Sequence, residues 1–490
     1  MTHPKYFGTD GIRGTAGAAP MSVEFVLRLG RAAGQVLVEE ELSSLTFVVG
    51  RDSRQSGPML QNALTAGLLS SGADVIDLGI LPTPAIAYLT RQVGAVAGAV
   101  ISASHNPAPE NGIKFLNGQG MKLSEEMELA IESLLEADEL DRQPAPPPFG
   151  KVIDGAYLHE TYLQDLIHSQ QDLDLSGLTV VMDCANGASY QVAPEAFRRL
   201  GACVVALNTS PNGTNINLSA GSEHVRSDPQ AFGALVRQYQ ANLGVAFDGD
   251  ADRVILLDEQ GRLVDGDHML AILAEHFLAS DRLLGNTVVT TTMANGYLAK
   301  FTQERGIHLV ETPVGDKYVT EELTRLALKP GETEKVGLGG EQSGHIILLD
   351  QEHRTGDGIR TALFMLQVLN SRRGKPLSDL TEKIQKYPQM VASCNVACKP
   401  DLNSMAPLNR LIDSLPKELP GLVRINLRYS GTEPKFRLML ETDTRHTPAE
   451  VARIAWQVCD LVQHETNTPA GARVEVLNVS DGGLMERPIK

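Results

Sequence analysis

The chain has 490 residues, 42% hydrophobic and 21% charged, and its 60 acidic against 43 basic residues leave a net charge of −17. That balance excludes broad nucleic-acid or anionic-membrane binding but leaves room for a local pocket of arginines around an anionic small molecule. The length suits three to four domains at ~100–200 residues each, and no apolar run is long enough to span a bilayer.

The N-terminus, MTHPKYFGTDGIRG, lacks the apolar core of a signal peptide. With five scattered cysteines that complete no zinc pattern, this predicts a cytoplasmic protein with reduced thiols. Strand-then-helix units follow: TFVVGRDSR and GPMLQNALTAGLLSSG (46–72), then ADVIDLGILPTPAIAYLTR (73–91). Such alternation predicts parallel sheets covered by helices. Related units recur at 178–207 and 286–312, which predicts several related α/β domains. We place boundaries at 1–150, 151–257, 258–372 and 373–475, with a surface tail over 476–490. The clearest linker is DRQPAPPPFGK (141–151), where four prolines disfavour both helix and sheet.

Four stretches carry chemistry. In GAVISASHNPAPENGIKF (98–115), a short apolar strand delivers Ser104 and His105 to a sheet end, and Pro107 bars helix at Asn106. Read alone, this is a polar loop. A serine hydrolase built on Ser104 and His105 is disfavoured, because adjacent side chains point apart and no nucleophile elbow surrounds them. In VAFDGDADRVILLD (245–258), Asp248, Asp250 and Asp252 are spaced by two, which on extended chain would converge three carboxylates. Two carboxylates ~4 Å apart repel by roughly 4 kcal/mol at an effective dielectric near 20, so the cluster calls for a cation, and an all-oxygen set suits Mg²⁺. An EF-hand is excluded because Arg253 stands where the calcium loop needs glycine.

GLGGEQSGHIILLD (337–350) sets Glu341, Ser343 and His345 at alternate positions after paired glycines, suited to sugar hydroxyls and, for His345, to moving a proton. INLRYSGTEPKFRLMLE (425–441) supplies Arg428, Ser430, Gly431, Thr432 and Arg437, a cradle for phosphate. Lys114 and Arg253 add positive charge that could stabilise phosphoryl transfer.

In this order, with NGIKF, PVGDKYV and SGTEP, the motifs resemble the α-D-phosphohexomutase family over almost the whole chain. The resemblance implies four domains around a central cleft: three related α/β domains with mixed or parallel sheets and a smaller C-terminal α+β domain. It implies that Ser104 carries the transferred phosphoryl group. Asp248, Asp250 and Asp252, with the Ser104 phosphate, would hold one Mg²⁺ per chain. Glu341, Ser343 and His345 would contact the sugar, and Arg428, Ser430, Gly431, Thr432 and Arg437 the non-reacting phosphate. Arg13, His105, Lys114 and Arg253 would surround the reacting phosphate, with Lys114 and His345 as candidates for proton transfer.

GGEQSGH, LPTPAIAYLTR and PVGDKYV are most similar to the members acting on glucosamine phosphates, which make precursors of UDP-N-acetylglucosamine and the cell wall. For these the resemblance implies glucosamine 1,6-bisphosphate as intermediate and activator, and a fourth domain hinged near 371–376. Tyr429 and Ala251 stand where those enzymes usually have proline and glycine, so mannose or glucose phosphates are the alternative substrates. A sugar-phosphate-binding protein without catalysis is disfavoured because Ser104 and the three aspartates are intact. Dimers are common in the family, so a homodimer is compatible with the resemblance; nucleic-acid and membrane partners are not expected.

Overall fold

A computed structural model of the chain describes residues 4–37, 45–137, 149–170, 173–326, 334–372, 375–430, 434–469 and 471–487. Gly431 and Thr432, the proline-rich stretch 141–148 and residues 373–374 of the expected hinge lie outside the described residues. Four sheets organise the rest.

In the first, Thr46–Arg51 pairs in parallel with Asp74–Ile80 and Ala97–Ile101, and Ala97–Ile101 turns back antiparallel onto Glu110–Asn117. In the second, Thr179–Asp183 lies parallel to Cys203–Leu207 and Leu243–Phe247, and Leu243–Phe247 turns back onto Val254–Leu257. In the third, Leu283–Thr291 lies parallel to His308–Thr312 and Val336–Gly340, and Val336–Gly340 turns back onto Ile346–Leu349. The same design thus occurs three times: a parallel core whose last strand ends in an antiparallel hairpin. The strands entering these hairpins, Ala97–Ile101, Leu243–Phe247 and Val336–Gly340, are buried along their whole length, as expected where helices cover both sheet faces.

The fourth sheet is antiparallel throughout, in the order Leu422–Tyr429, Lys435–Thr442, Gln389–Asn395, Val474–Asn478. The helix Pro448–Glu465, started by a Thr447–Glu450 capping box, covers one face. The chain end differs from the expected tail. Val474–Asn478 fills the sheet edge, Val476 and Val479 are buried, and the Ser480 hydroxyl donates to the Tyr387 carbonyl at 2.6 Å. The stretch reads as coil because its five-residue strand is followed at once by polar and glycine residues, yet alternate valines suffice once a partner strand is present.

One continuous apolar core runs through the first three domains, from Val48 through Phe247 to Phe364. The fourth domain has its own, from Met390 to Val476. No helix among the described residues is long and apolar enough to cross a membrane.

Candidate active site

The hairpin turns of the first three sheets carry Ser104, the aspartate triad and the Glu341 loop, and that of the fourth carries Ser430. Ser104 is buried and takes a left-handed φ of 50°. Its loop is held from below: the fully buried Arg54 guanidinium donates to the carbonyls of Ser104, Asn106, Pro107 and Glu110 and to Asp52. The Asn217 amide donates to Ser104 O and Asn106 O from the second domain. This conformation turns the Ser104 hydroxyl onto Asp248 Oδ2 at 2.6 Å and leaves it 3.3 Å from His105 Nδ1. The expectation that the two neighbouring side chains point apart is therefore corrected. It assumed extended backbone, and left-handed backbone brings them together.

The triad converges as expected, with ligand oxygens of Asp248, Asp250 and Asp252 all within 4.8 Å of one another. The cause is a turn, though, and not strand alternation: the strand stops at Phe247, and Ala251 takes a φ of 57°. Alanine there adopts a conformation that glycine reaches more easily, so the departure from the family's usual glycine leaves the turn able to form. Gly249 lies so close to the serine loop that a Cβ would meet Ser104 O at 2.5 Å, and Gly187 packs as tightly behind it, where a Cβ would meet Gly249 O at 2.4 Å. Burial, with Asp252 and Asp250 beside it, pushes the Asp248 carboxyl well above its ordinary range. Against burial, Lys114 and His345 hold Asp252 well below it. Asp250 Oδ1 and Asp252 Oδ1 are buried without a hydrogen-bond partner among the described residues. Three buried carboxylates with two such oxygens, beside a serine that could carry phosphate, fit a hard divalent cation.

Cations surround the cluster. Lys114 Nζ lies 3.0 Å from Asp250 Oδ2, 3.5 Å from Asp252 Oδ2 and 3.5 Å from Asp10 Oδ1. The Arg253 guanidinium reaches His105 Nδ1 at 3.4 Å, and Arg13 pairs with Asp10 and donates to Asn106 Oδ1. Burial and Arg253 lower the His105 pKa to about 4, so its ring is neutral. His345 is buried between Asp252 and Asp316, 3.7 and 3.6 Å away, and these overcome burial to raise its pKa to about 9.

Glu341, Ser343 and His345 do not share one face. Residues 341–345 form a turn in which Glu341 N donates to His345 O and Gly344 takes a φ of 90°. Glu341 and Ser343 line a cavity of about 320 Å³ together with Arg253, Arg226, Arg428 and Arg437, while His345 stays behind it on the aspartates. The Ser343 hydroxyl oxygen is buried with no partner among the described residues, and Gly315 N donates to Glu341 Oε1 at 3.2 Å. Arg428 and Arg437 are cross-strand partners on the opposite wall, and burial followed by Arg437 lowers the Arg428 pKa. Ser430 is buried, with its carbonyl accepting from Lys399 Nζ at 2.6 Å.

Several participants are missed by sequence reasoning. Lys122 bridges Asp10 at 2.8 Å and Asp316 at 2.7 Å, tying the first domain to the third. Thr83 donates to Asp250 Oδ2 at 2.6 Å. Asp10 and Asp316 lie in the GTDGIRG and PVGDKYV stretches, where charge among small residues was the available signal. Nothing in the sequence marks Arg54 or Asn217 as supports of a loop fifty or more residues away.

This fold and this arrangement are those of a phosphohexomutase. The described families of phosphoglucomutase/phosphomannomutase α/β/α domains I, II and III match residues 4–142, 160–261 and 265–387. The chain belongs to the α-D-phosphohexomutase family, intramolecular phosphotransferases of the isomerase class. Within it the chain groups with the phosphoglucosamine mutases. The phosphoglucosamine mutase of Syntrophotalea carbinolica is 43% identical over 461 residues, covering 94% of this chain and 97% of that one. Two solved structures share the fold. A phosphoglucomutase/phosphomannomutase family protein from Burkholderia thailandensis has a TM-score of 0.73 at 23% identity, covering 97% of this chain and all of that one. The N-acetylphosphoglucosamine mutase of Aspergillus fumigatus, solved in complex with GlcNAc-6P and magnesium, has a TM-score of 0.63 at 18% identity, covering 94% and 96%.

Proposed function

We propose that the protein interconverts glucosamine 6-phosphate and glucosamine 1-phosphate through a phosphorylated Ser104 and glucosamine 1,6-bisphosphate. The observation that carries this reading is the Ser104 hydroxyl 2.6 Å from Asp248 within a buried aspartate triad, in a chain whose curated relatives are named phosphoglucosamine mutase. In the first half-reaction the Oγ–P bond of phosphoserine breaks, an O1–P bond to the sugar forms, the O1 hydroxyl gives up its proton and Ser104 Oγ takes one. The bisphosphate then turns end for end. In the second half its 6-phosphoryl group returns to Ser104 Oγ, which gives up its proton, the O6–P bond breaks, and O6 takes a proton.

Asp248, Asp250, Asp252 and the Ser104 phosphate would hold one Mg²⁺, which when bound supplies charge neutralisation at the transferring group. Lys114, Arg253 and Arg13 add fixed positive charge around the same oxygens. Lys114 is held well above its ordinary pKa, opposed by burial but favoured by Asp10, Asp250 and Asp252. It and His345 therefore keep their protons at neutral pH and act as charges or as acids. Neutral His105, 3.3 Å from Ser104 Oγ, is the group able to accept a proton. Glu341 and Ser343 would bind sugar hydroxyls, and Arg428, Ser430, Gly431, Thr432 and Arg437 the distal phosphate.

Phosphorus NMR of glucosamine, glucose and mannose 6-phosphates with Mg²⁺ and a trace of the 1,6-bisphosphate tests the reading. Preferred turnover of the amino sugar, lost in Ser104→Ala, is expected. Faster turnover of a neutral sugar would overturn the substrate, and no turnover of any would overturn the mechanism.

A further inference from the structure

Gln342 lies between the two sugar-facing residues and lines the same cavity, but its side chain amide serves a different end. It is 6% exposed, and Nε2 donates both to Asp267 Oδ2 at 2.7 Å and to Gln389 Oε1 at 2.8 Å. Asp267 opens the helix Gly266–Ala279 of the third domain, and Gln389 is the first residue of the strand Gln389–Asn395 of the fourth. One nitrogen is thus shared between two domains whose apolar cores are separate.

The surroundings fix both acceptors. Asp267 Oδ2 also accepts from Asn295 N at 3.1 Å and lies 3.3 Å from Lys386 Nζ, which pairs in addition with Asp265. Gln389 is fully buried; its own amide donates to Met293 O at 3.2 Å, and its backbone N–H to Ser480 Oγ at 2.9 Å. The Gln342 carbonyl accepts from Gly266 N at 3.1 Å. Swinging the fourth domain away would remove Gln389 and strand one buried N–H of Gln342, and such a group does not stay unpaired without cost. The loop bearing Glu341 and Ser343 therefore cannot be indifferent to whether that domain is seated.

We propose that Gln342 is a positioning residue that couples seating of the fourth domain to placement of Glu341 and Ser343, so that docking of the phosphate clamp sets the sugar-contacting side chains. The inference rests on the roles proposed above for those residues. Its test has one arm that needs no substrate. In the full-length protein, Gln389→Leu should speed backbone hydrogen exchange of residues 341–345 on the order of tenfold, and Gln342→Leu should do the same at 386–389. Unchanged exchange at 341–345 in Gln389→Leu would overturn the coupling, whatever the enzyme turns over. In the kinetic arm, run on the hexose phosphate that the wild type prefers, each variant should lower kcat/KM about tenfold and need more added 1,6-bisphosphate. The double variant should be no worse than either single one, and effects that multiply would overturn the proposal. If Gln342→Leu does not fold, Gln342→Met, similar in volume and more adaptable, takes its place. A wild type that turns over no hexose phosphate, with exchange still coupled, would sink the proposed function and leave the joint standing.

Discussion

Around Ser104, carboxylates and cations from three domains interlock: Asp10, Asp250, Asp252 and Asp316 against Arg13, Lys114, Lys122 and His345. Across the cavity, Arg428 and Arg437 stand on a sheet with its own core, reached from the third domain through the polar joint at Asp267, Asn295, Lys386 and Glu441. The first region is held by many mutually dependent contacts and an apolar core common to its three domains. The second is attached chiefly through hydrogen bonds and ion pairs, with the edge-on Tyr297–Tyr387 ring contact beside them. Phosphoryl transfer tolerates little displacement of the reacting atoms, whereas on the proposed mechanism a clamp receiving either phosphate of a turning bisphosphate would gain from being able to release. On that reading the cleft divides into an interlocked end and a detachable end.

The largest expected effect falls on the interlocked end. Ser104→Ala should lower turnover roughly 10⁴-fold or more, read by phosphorus NMR, and should abolish phosphate incorporation by mass spectrometry; retained turnover would remove Ser104 from the chemistry. Next, chelating divalent cations should abolish activity and added Mg²⁺ restore it, while Asp250→Asn should weaken metal dependence and rate by about 10–100-fold. On the detachable end, Arg428→Lys should raise KM by about tenfold with a smaller change in kcat, because lysine loses the bidentate grip on phosphate. A fall in kcat alone would place Arg428 at the reacting end instead.

The joint itself carries a pH dependence. Glu441 is fully buried, accepting from Gly296 N at 3.1 Å, with Arg424 3.9 Å away. Burial raises its pKa from 4.5 to about 7, with Asp267 assisting and Gly296, Arg424 and Lys386 opposing. The folded state thus binds this proton more tightly than the unfolded one. The stability it confers is complete below about pH 4.5 and is lost as pH rises through 7, on the order of 3 kcal/mol. Glu441→Gln should flatten that loss in denaturant titrations at pH 5 and 8; equal slopes for both proteins would refute the assignment. Smallest of all, Tyr429→Phe should leave kcat/KM within about twofold, since the ring packs edge-on against Phe436 and, among the described residues, its hydroxyl meets only the Met405 sulfur at 3.8 Å.

How legible this division was in the sequence can be argued residue by residue. Ser104, the three aspartates, Glu341 and Arg428 stand in short stretches where unusual residue types follow an apolar strand, and such local patterns survive reading in one dimension. The strand-and-helix alternation likewise announced three α/β units. What stayed hidden is of two kinds. Lys122 with Asp316, Arg54 under the serine loop and Gln342 with Gln389 are pairings across 47 to 194 positions, and no periodicity encodes them. The turn conformations of Ser104 and Ala251 reverse the side-chain directions that extended backbone would give, and the separate turn at Gly344 parts His345 from Glu341 and Ser343.

The contact of Gly249 with the carbonyl of Ser104 has a further consequence, for which substitutions the chain can accept. Here the backbones of two domains come close, with Gly187 stacked behind and the Asn217 amide holding the Ser104 carbonyl, so the spacing between the serine and the aspartate turn leaves no room for an added atom. A single methyl group at 249 would act as a shim, thinner than most core substitutions tolerate with ease, yet inserted at the one gap that governs alignment. Gly249→Ala should therefore give little turnover together with a lowered melting temperature, because backbone must shift to admit the methyl group.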